Sequence, residues 1–426
     1  MLLRLALLTL ILLAGPIRAQ TTPQPPDSSQ PPDSSQITDP AMPPAIAPQP
    51  TPAGLVAWLD AFGPRALAAG ITPATLDAAL AGVTLLPDVI ERDRRQNEFS
   101  KTIWDYLDTA VSDARIVAGR QALTDHADLL AAIEARYGVD RHILTAIWGL
   151  ESAYGVVRGD VPTFSALATL AYDGRRAAFF EDQLLAALAI LQDGNTTADQ
   201  MRGSWAGAMG HTQFMPRTYV AHAVDYTGDG RRDIWGADPA DALASAAAYL
   251  AGNGWQRGQP WGVEVTLPRN FDHGLARGDN RQATGAWATL GVRGLDGRPV
   301  PDHGPAELLL PAGAGGVPFL IFRNFNVIER YNTADAYVIA VGHLADRLRG
   351  GPAFTGGWPR GDRALTFEER QELQRLLTAR GFDTLGIDGL IGPRTIAAIR
   401  AYQRDTGMVP DGYAPAALLD RLRATP

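Results

Sequence analysis

The chain has 426 residues, 46% of them hydrophobic, and a formal net charge of −8 with no extended basic run. At roughly 100–200 residues per domain this length allows two or three domains with real cores, and the missing basic stripe excludes nucleic acid as the expected partner. There is no cysteine, so burial rather than disulfides must stabilise the fold, and the attachment residue of a bacterial lipoprotein is missing.

Met1-Leu2-Leu3-Arg4 leads into a largely apolar run from Leu5 to Ala14, closed by Gly15-Pro16-Ile17-Arg18-Ala19. A basic residue, a short apolar core and a terminal Ala fit a secretory signal peptide over residues 1–19. The run is shorter than the ~20 residues a bilayer span needs. A periplasmic protein without a stable membrane anchor after cleavage is therefore expected. Residues 20–52 form a Pro/Ser-rich tether in which Pro-Pro-Asp-Ser-Ser-Gln stands twice in tandem; such a segment has nothing to bury and should stay disordered.

From residue 53 the pattern turns helical. Leu55, Val56, Leu59 and Phe62 keep a helical spacing, and Thr72-Pro73 reads as an N-cap with Pro at N1. Further helices are expected over 103–118, 125–137, 142–152, 176–192, 241–252 and 334–348. Between 261 and 325, short runs such as Val263-Glu-Val-Thr-Leu267 and Phe319-Leu-Ile-Phe322 stand among Gly and Pro, which predicts a small β-rich insertion. Glycines and prolines mark a linker over 351–364. Residues 365–426 read as a separate module of three helices, with Leu373, Leu376 and Leu377 on the first, Ile396, Ile399 and Tyr402 on the second, and a short last one. The expected fold is mainly α: a helical domain over 53–350 carrying the insertion, then the three-helix module.

Two segments could carry chemistry. In Ile143-Leu-Thr-Ala-Ile147-Trp148-Gly-Leu-Glu151-Ser-Ala-Tyr154-Gly155, the residues Ile143, Ile147 and Glu151 are spaced i, i+4, i+8. The carboxylate therefore lies on an apolar stripe near a helix C-terminus, where burial and the dipole both disfavour its charge. That suits a general acid working near neutrality; a buried Glu paired with an Arg fits the spacing as well. The second segment, Gly203-Ser-Trp-Ala-Gly207-Ala-Met-Gly210-His-Thr-Gln213-Phe214-Met-Pro216, mixes small polar groups with aromatics. It suits a sugar-contacting loop, or a Gly-rich turn that is merely structural. A third stretch, Asp225-Tyr-Thr227-Gly-Asp229-Gly230-Arg231-Arg-Asp233, reads as the first half of an EF-hand loop, lacking the closing Glu at position 12. An Asp/Gly-rich turn held by its own hydrogen bonds fits it equally.

Taken in order, the first two segments resemble the lytic murein transglycosylase B family, glycoside hydrolase family 103. The likeness spans about residues 54–349 and includes Trp104-Asp-Tyr-Leu, Asp113-Ala-Arg and Arg330-Tyr-Asn332. It implies a lysozyme-like helical catalytic domain that acts on peptidoglycan glycan strands, with Glu151 as the single catalytic carboxylate. It also implies that Ser204, Gln213 and Phe214 form the substrate-contacting loop, that Arg175 and Arg176 face the muropeptide, and that Tyr249, Tyr331 and Tyr337 line the groove. His211 matches no family role. No second acid stands in a comparable motif; Asp160 is the nearest candidate and has no supporting pattern. The family's reaction needs one acid: Glu151 would protonate the bond between MurNAc and GlcNAc, then as a base take the proton from the MurNAc C6 hydroxyl as it closes a 1,6-anhydro ring. The alternatives are a hydrolytic lysozyme and a non-catalytic peptidoglycan-binding scaffold. No cofactor is required by this chemistry. Some family members close the acidic loop with a later Asp, so a structural Ca2+ would be held by Asp225, Thr227, Asp229, the backbone of Arg231, and Asp241. The last module resembles the peptidoglycan-binding domain of cell-wall hydrolases, carried by Leu373-Gln374, Asp388-Gly-x-Ile-Gly392, Thr395, Tyr402-Gln403 and Asp411-Gly412. Protein partners are not readable from the chain.

Overall fold

Threonine followed by proline opens the first two helices of the computed structural model, which describes residues 50–95, 101–278 and 280–424. Thr51 accepts the N–H of Gly54 at 3.1 Å, and Thr72 that of Thr75 at 3.3 Å. Each cap satisfies a donor that the helix cannot, and the proline after it sits where no donor is needed. The expected signal peptide and almost all of the tether lie outside the described residues.

Helix Arg141–Ser152 runs through the middle of the main body. Ile143, Leu144, Ala146, Ile147 and Trp148 are all buried, so the helix is enclosed on every side rather than along one stripe. Helices Asp113–Asp125, Ala240–Gly252 and Asp335–Leu348 pack against it. A second core lies between helices Thr163–Asp173 and Ala177–Gln192, where Phe62, Phe180 and Tyr219 are sealed in. The helix expected over 103–118 is in fact two, Ile103–Ala110 and Asp113–Asp125, broken at Val111 and Ser112. Ser112 takes an extended backbone and restarts the chain as an N-cap residue, a stop that apolar spacing conceals. Helix Thr163–Asp173 escapes sequence reading for a different reason: Thr163 through Ala171 are buried without exception, so no period shows.

Two-residue strands β1 (Val161–Pro162) and β2 (Arg202–Gly203) pair antiparallel and bring the Gly-rich loop beside the chain that leaves helix Arg141–Ser152. The insertion holds an antiparallel sheet of β3 (Gly262–Thr266), β4 (Arg293–Gly294), β5 (Glu307–Leu309) and β6 (Phe319–Ile321), in the order β4-β3-β6-β5. Leu308 pairs with Leu320 in register, and both join Val265, Trp287 and Phe322 in the insertion's own core.

The linker is strapped to the main body rather than free of it. Phe354 stacks on His343 with ring centroids 3.7 Å apart, and Trp358 meets Trp104 at 6.5 Å. Arg360 grips Asp108 through two hydrogen bonds of 2.7 and 2.9 Å, and Glu264 accepts the N–H groups of Thr355 and Gly356. The last module has helices Phe367–Ala379, Pro393–Asp405 and Ala416–Ala424 around Leu373, Leu377, Ile399, Tyr402 and Leu419. Two clasps of one design tie it together. Gln374 donates to Asp388 and accepts from Gly389; Gln403 donates to Asp411 and accepts from Gly412, all four bonds at 2.8 Å. The second clasp also docks on the insertion, where Asp411 accepts the N–H of Ala314 at 2.8 Å.

Candidate active site

Glu151 projects from the last turn of helix Arg141–Ser152, and the backbone just beyond that turn is unusual. Ala153, Tyr154 and Gly155 all take left-handed conformations, with φ of 49°, 60° and 85°. For the two residues with side chains that costs on the order of 1–2 kcal/mol each, so other contacts must hold the turn. Tyr154 donates its hydroxyl to the Arg115 carbonyl at 2.8 Å, and its ring fills the space left by Gly149, where a Cβ would come within 2.5 Å of it. Ser152 Oγ accepts the Gly155 N–H at 3.0 Å and donates to the His211 carbonyl at 2.6 Å. The helix thus ends abruptly, with Glu151 one residue before a locked turn.

Among the described residues the carboxyl group has one hydrogen-bond partner: Tyr337 donates its hydroxyl to Glu151 Oε1 at 2.5 Å. Burial pushes the Glu151 pKa up to about 7, and the Tyr337 bond only partly opposes it. Among the described residues no cation and no second carboxylate contributes to that shift, so the buried Glu–Arg pair is ruled out. Burial first, and the nearby Glu151 second, push the hydroxyls of Tyr106, Tyr331 and Tyr337 up. These three phenols stay protonated at any working pH; Tyr337 donates to the acid, and Tyr331 to the Thr212 carbonyl. Asp160 is exposed and uses its backbone carbonyl to bind Arg202.

The other expected site residues divide. Tyr331 donates to the Thr212 carbonyl at 2.7 Å and Tyr249 to that of Arg330 at 2.6 Å, so both rings are fixed beside the Gly-rich loop. Phe214, expected to touch substrate, is only 2% exposed and lies against Tyr249 and Tyr331 with centroids 5.9 and 5.8 Å away. It supports those rings from behind, because the left-handed Gln213 (φ 50°) turns the next side chain inward. Gln213 itself donates to the Gly210 and Arg158 carbonyls at 2.8 and 3.0 Å. Ser204 Oγ is half-buried and accepts the Ala208 N–H at 3.0 Å, closing the loop's turn. Arg175, expected to face the muropeptide, grips the buried Asp93 through two hydrogen bonds. Arg176 stays exposed, its guanidinium 4.2 Å over the Phe179 ring. Tyr106 is the neighbour of Glu151 that sequence reasoning passed over; its signal was the motif Trp104-Asp-Tyr-Leu, in which Trp104 and Leu107 are buried and Tyr106 only half so.

With the geometry in place, residues 54–346 match the family described as transglycosylase SLT domain. The chain belongs to that family. It is a member of the lytic transglycosylase class of enzymes, and residues 367–422 match the putative peptidoglycan binding domain. The membrane-bound lytic murein transglycosylase B of Escherichia coli is 36% identical over 215 residues, 50% of this chain and 58% of the relative, so the match spans little more than half of that protein. SltB3 from Pseudomonas aeruginosa, solved with NAG-anhNAM-pentapeptide, is 50% identical and superposes with a TM-score of 0.85, covering 87% of this chain and 99% of SltB3. The Escherichia coli lytic transglycosylase Slt35, solved in complex with calcium, is 28% identical with a TM-score of 0.59 over 70% of this chain and 93% of its own.

The acidic loop of this SLT transglycosylase gathers Asp225, Asp229 and Asp241, whose oxygens lie within 4.8 Å of one another. Asp225 accepts the N–H groups of Gly228 and Gly230, Asp229 that of Arg231, and the buried Asp241 those of Tyr226, Thr227 and Asp233. Thr227 Oγ1 lies 3.4 Å from Asp225. The donor set is oxygen only, which fits calcium, while the backbone bonds already close the turn.

Proposed function

We propose that this chain cleaves the β-1,4 bond between MurNAc and GlcNAc in peptidoglycan and leaves 1,6-anhydro-MurNAc ends. One observation carries the reading: the half-buried Glu151 carboxyl, bonded by Tyr337, has its pKa raised to about 7 by burial, with no second carboxylate among the described residues acting on it. A glycosidase that activates water needs two acids flanking the bond. With one, the nucleophile must come from the substrate. Protonated Glu151 delivers its proton to the glycosidic oxygen, and the GlcNAc portion departs as an alcohol. The carboxylate left behind then accepts the proton of the MurNAc C6 hydroxyl as that oxygen bonds to C1. The proton balance closes on Glu151, and no water is consumed. A hydroxyl held on the same sugar ring has a high effective molarity, so a second acid is dispensable. Tyr337 donates to the carboxylate form of Glu151, which fits the half of the cycle in which it acts as base. The anhydro sugar in the SltB3 complex supports the same product here.

The module supports retention on an insoluble polymer, where tethering raises effective concentration. A periplasmic site of action agrees with the amino-terminal sequence and with the cell-wall substrate; among the described residues no helix is long and apolar enough to cross a membrane. The acidic loop would hold Ca2+ through Asp225, Thr227, Asp229, the Arg231 carbonyl and Asp241, adding stability and no catalytic step. Calcium should raise the melting temperature of the EDTA-treated protein; an unchanged value discards that site. The central test digests purified sacculi and weighs the muropeptides. Products one water lighter than hydrolytic ones support the proposal. Reducing MurNAc ends make the protein a lysozyme, and absence of cleavage makes it a scaffold.

A further inference from the structure

His211 lies in the Gly-rich loop, is 3% exposed, and has every polar atom engaged. Its N–H donates to the Ile234 carbonyl at 3.0 Å, and its own carbonyl accepts from Ser152 Oγ at 2.6 Å. Trp148 Nε1–H donates to Nδ1 at 3.1 Å. Nδ1 is therefore the unprotonated nitrogen, and Nε2 carries the hydrogen that it gives to the Gly236 carbonyl at 2.8 Å. Arg158 donates to the same carbonyl and stands 3.1 Å from Nε2. The charged groups around the ring are Arg158, Asp233 and Asp238, and burial holds its pKa below the ordinary value. The ring stays neutral and remains an acceptor for Trp148. Its face also closes over the locked turn: a Cβ on Gly155 would come within 2.5 Å of Nδ1 and Cε1.

Trp148 and Ser152 stand three residues before and one residue after Glu151. One residue of the Gly-rich loop thus grips the helix on both sides of its acid, Trp148 through its ring and Ser152 through its backbone carbonyl, and is itself anchored to the carbonyls of Ile234 and Gly236. Among the described residues, Glu151 itself has no such anchor beyond Tyr337.

We propose that His211 is a positioning residue for the transfer reaction: through Trp148 and Ser152 it holds Glu151 at the depth and angle from which the proton is delivered. It does not touch substrate. The inference rests on the assignment of Glu151 as the acid, and deepens it.

The test sets His211→Asn against His211→Leu. The Asn side chain places a carbonyl oxygen where Nδ1 stood and keeps the Trp148 bond; Leu fills similar space and accepts nothing. With a soluble tetrasaccharide of alternating GlcNAc and MurNAc, His211→Leu should lower kcat by about 10- to 100-fold and leave KM within about 2-fold. His211→Asn should recover most of the loss. Two readouts need no turnover. The indole N–H resonance of Trp148 should move in the Leu variant and hold in the Asn variant. The Glu151 carboxyl, titrating near 7 in the parent, should titrate lower in the Leu variant as the acid swings toward water. If His211→Leu misfolds, Trp148→Phe removes the same bond from the other side and must give the same kcat loss and titration shift. Unchanged kcat and Glu151 titration in the folded variant overturn the proposal, as does equal loss in the Asn and Leu variants. A parent protein that releases no anhydro product would instead overturn the proposed function, and the titration experiment would still decide the role of His211.

Discussion

Helix Arg141–Ser152 carries a carboxylate at each end, and the two could hardly be treated more differently. Asp140 caps the N-terminus. Burial opposes its charge, but hydrogen bonds from His142 and the charge of Arg349, 2.7 Å away, outweigh burial and hold its carboxyl well below the usual range. The helix dipole favours a negative charge at that end as well. Glu151, near the other end, meets burial with no cation among the described residues to offset it, and its pKa rises to about 7. The lesson is that partners, not burial alone, decide which carboxylate is structural and which can carry a proton. Arg175 likewise pairs with the buried carboxylate of Asp93.

That contrast can be broken at either end. The largest effect should follow Glu151→Gln, which removes the transferable proton: release of anhydro-muropeptides should fall by at least about 1,000-fold, with sacculus pull-down through the module intact. Near-parental release would end the assignment. The same variant should be more stable, because Gln carries no charge to bury. The raised pKa means that stability from Glu151 is fully present below about 4.5 and is lost as pH climbs through about 7, by about 3 kcal/mol at most. Denaturant melts at pH 4 and pH 8 should accordingly show a gain for the variant at pH 8 only.

Tyr337→Phe sharpens the comparison by removing the one bond that lowers the Glu151 pKa. The alkaline limb of kcat, where the acid loses its proton, should move to higher pH, while kcat falls about 10- to 100-fold from lost positioning. A limb that stays near 7 would show that the bond does not form in solution. The smallest effect belongs to the opposite end. Asp140→Ala deletes a cap and an ion pair and should cost about 1–2 kcal/mol at pH 7 in chemical denaturation. Its alkaline limb should not move, since Asp140 contributes nothing to the Glu151 shift.

Much of the architecture was legible before any coordinates. Thr72-Pro73 announced a helix start, the β-rich texture after residue 261 corresponds to the β3–β6 sheet, and the apolar spacing of Leu373, Leu376 and Leu377 corresponds to the module's first helix. What stayed hidden has physical causes. Uniform burial erases the period of helix Thr163–Asp173, and long-range contacts recruit Tyr106 to the acid and Phe354 and Trp358 of the linker to the main core. Phe214 looked like a sugar platform because local pattern cannot tell an aromatic facing a ligand from one facing its neighbours.

The sequence alone determined that residue 151 is an acid on an apolar helical stripe, followed by a Gly-rich segment and, farther on, by a module that resembles a peptidoglycan-binding domain. It could not determine the state of that acid. A pKa depends on which groups lie within a few ångströms in space, and Tyr337 comes from 186 residues away. Nor could it show His211 joining helix Arg141–Ser152 to the Gly-rich loop, since Trp148 and Gly236 meet its ring, and Ser152 its backbone carbonyl, only in the folded chain.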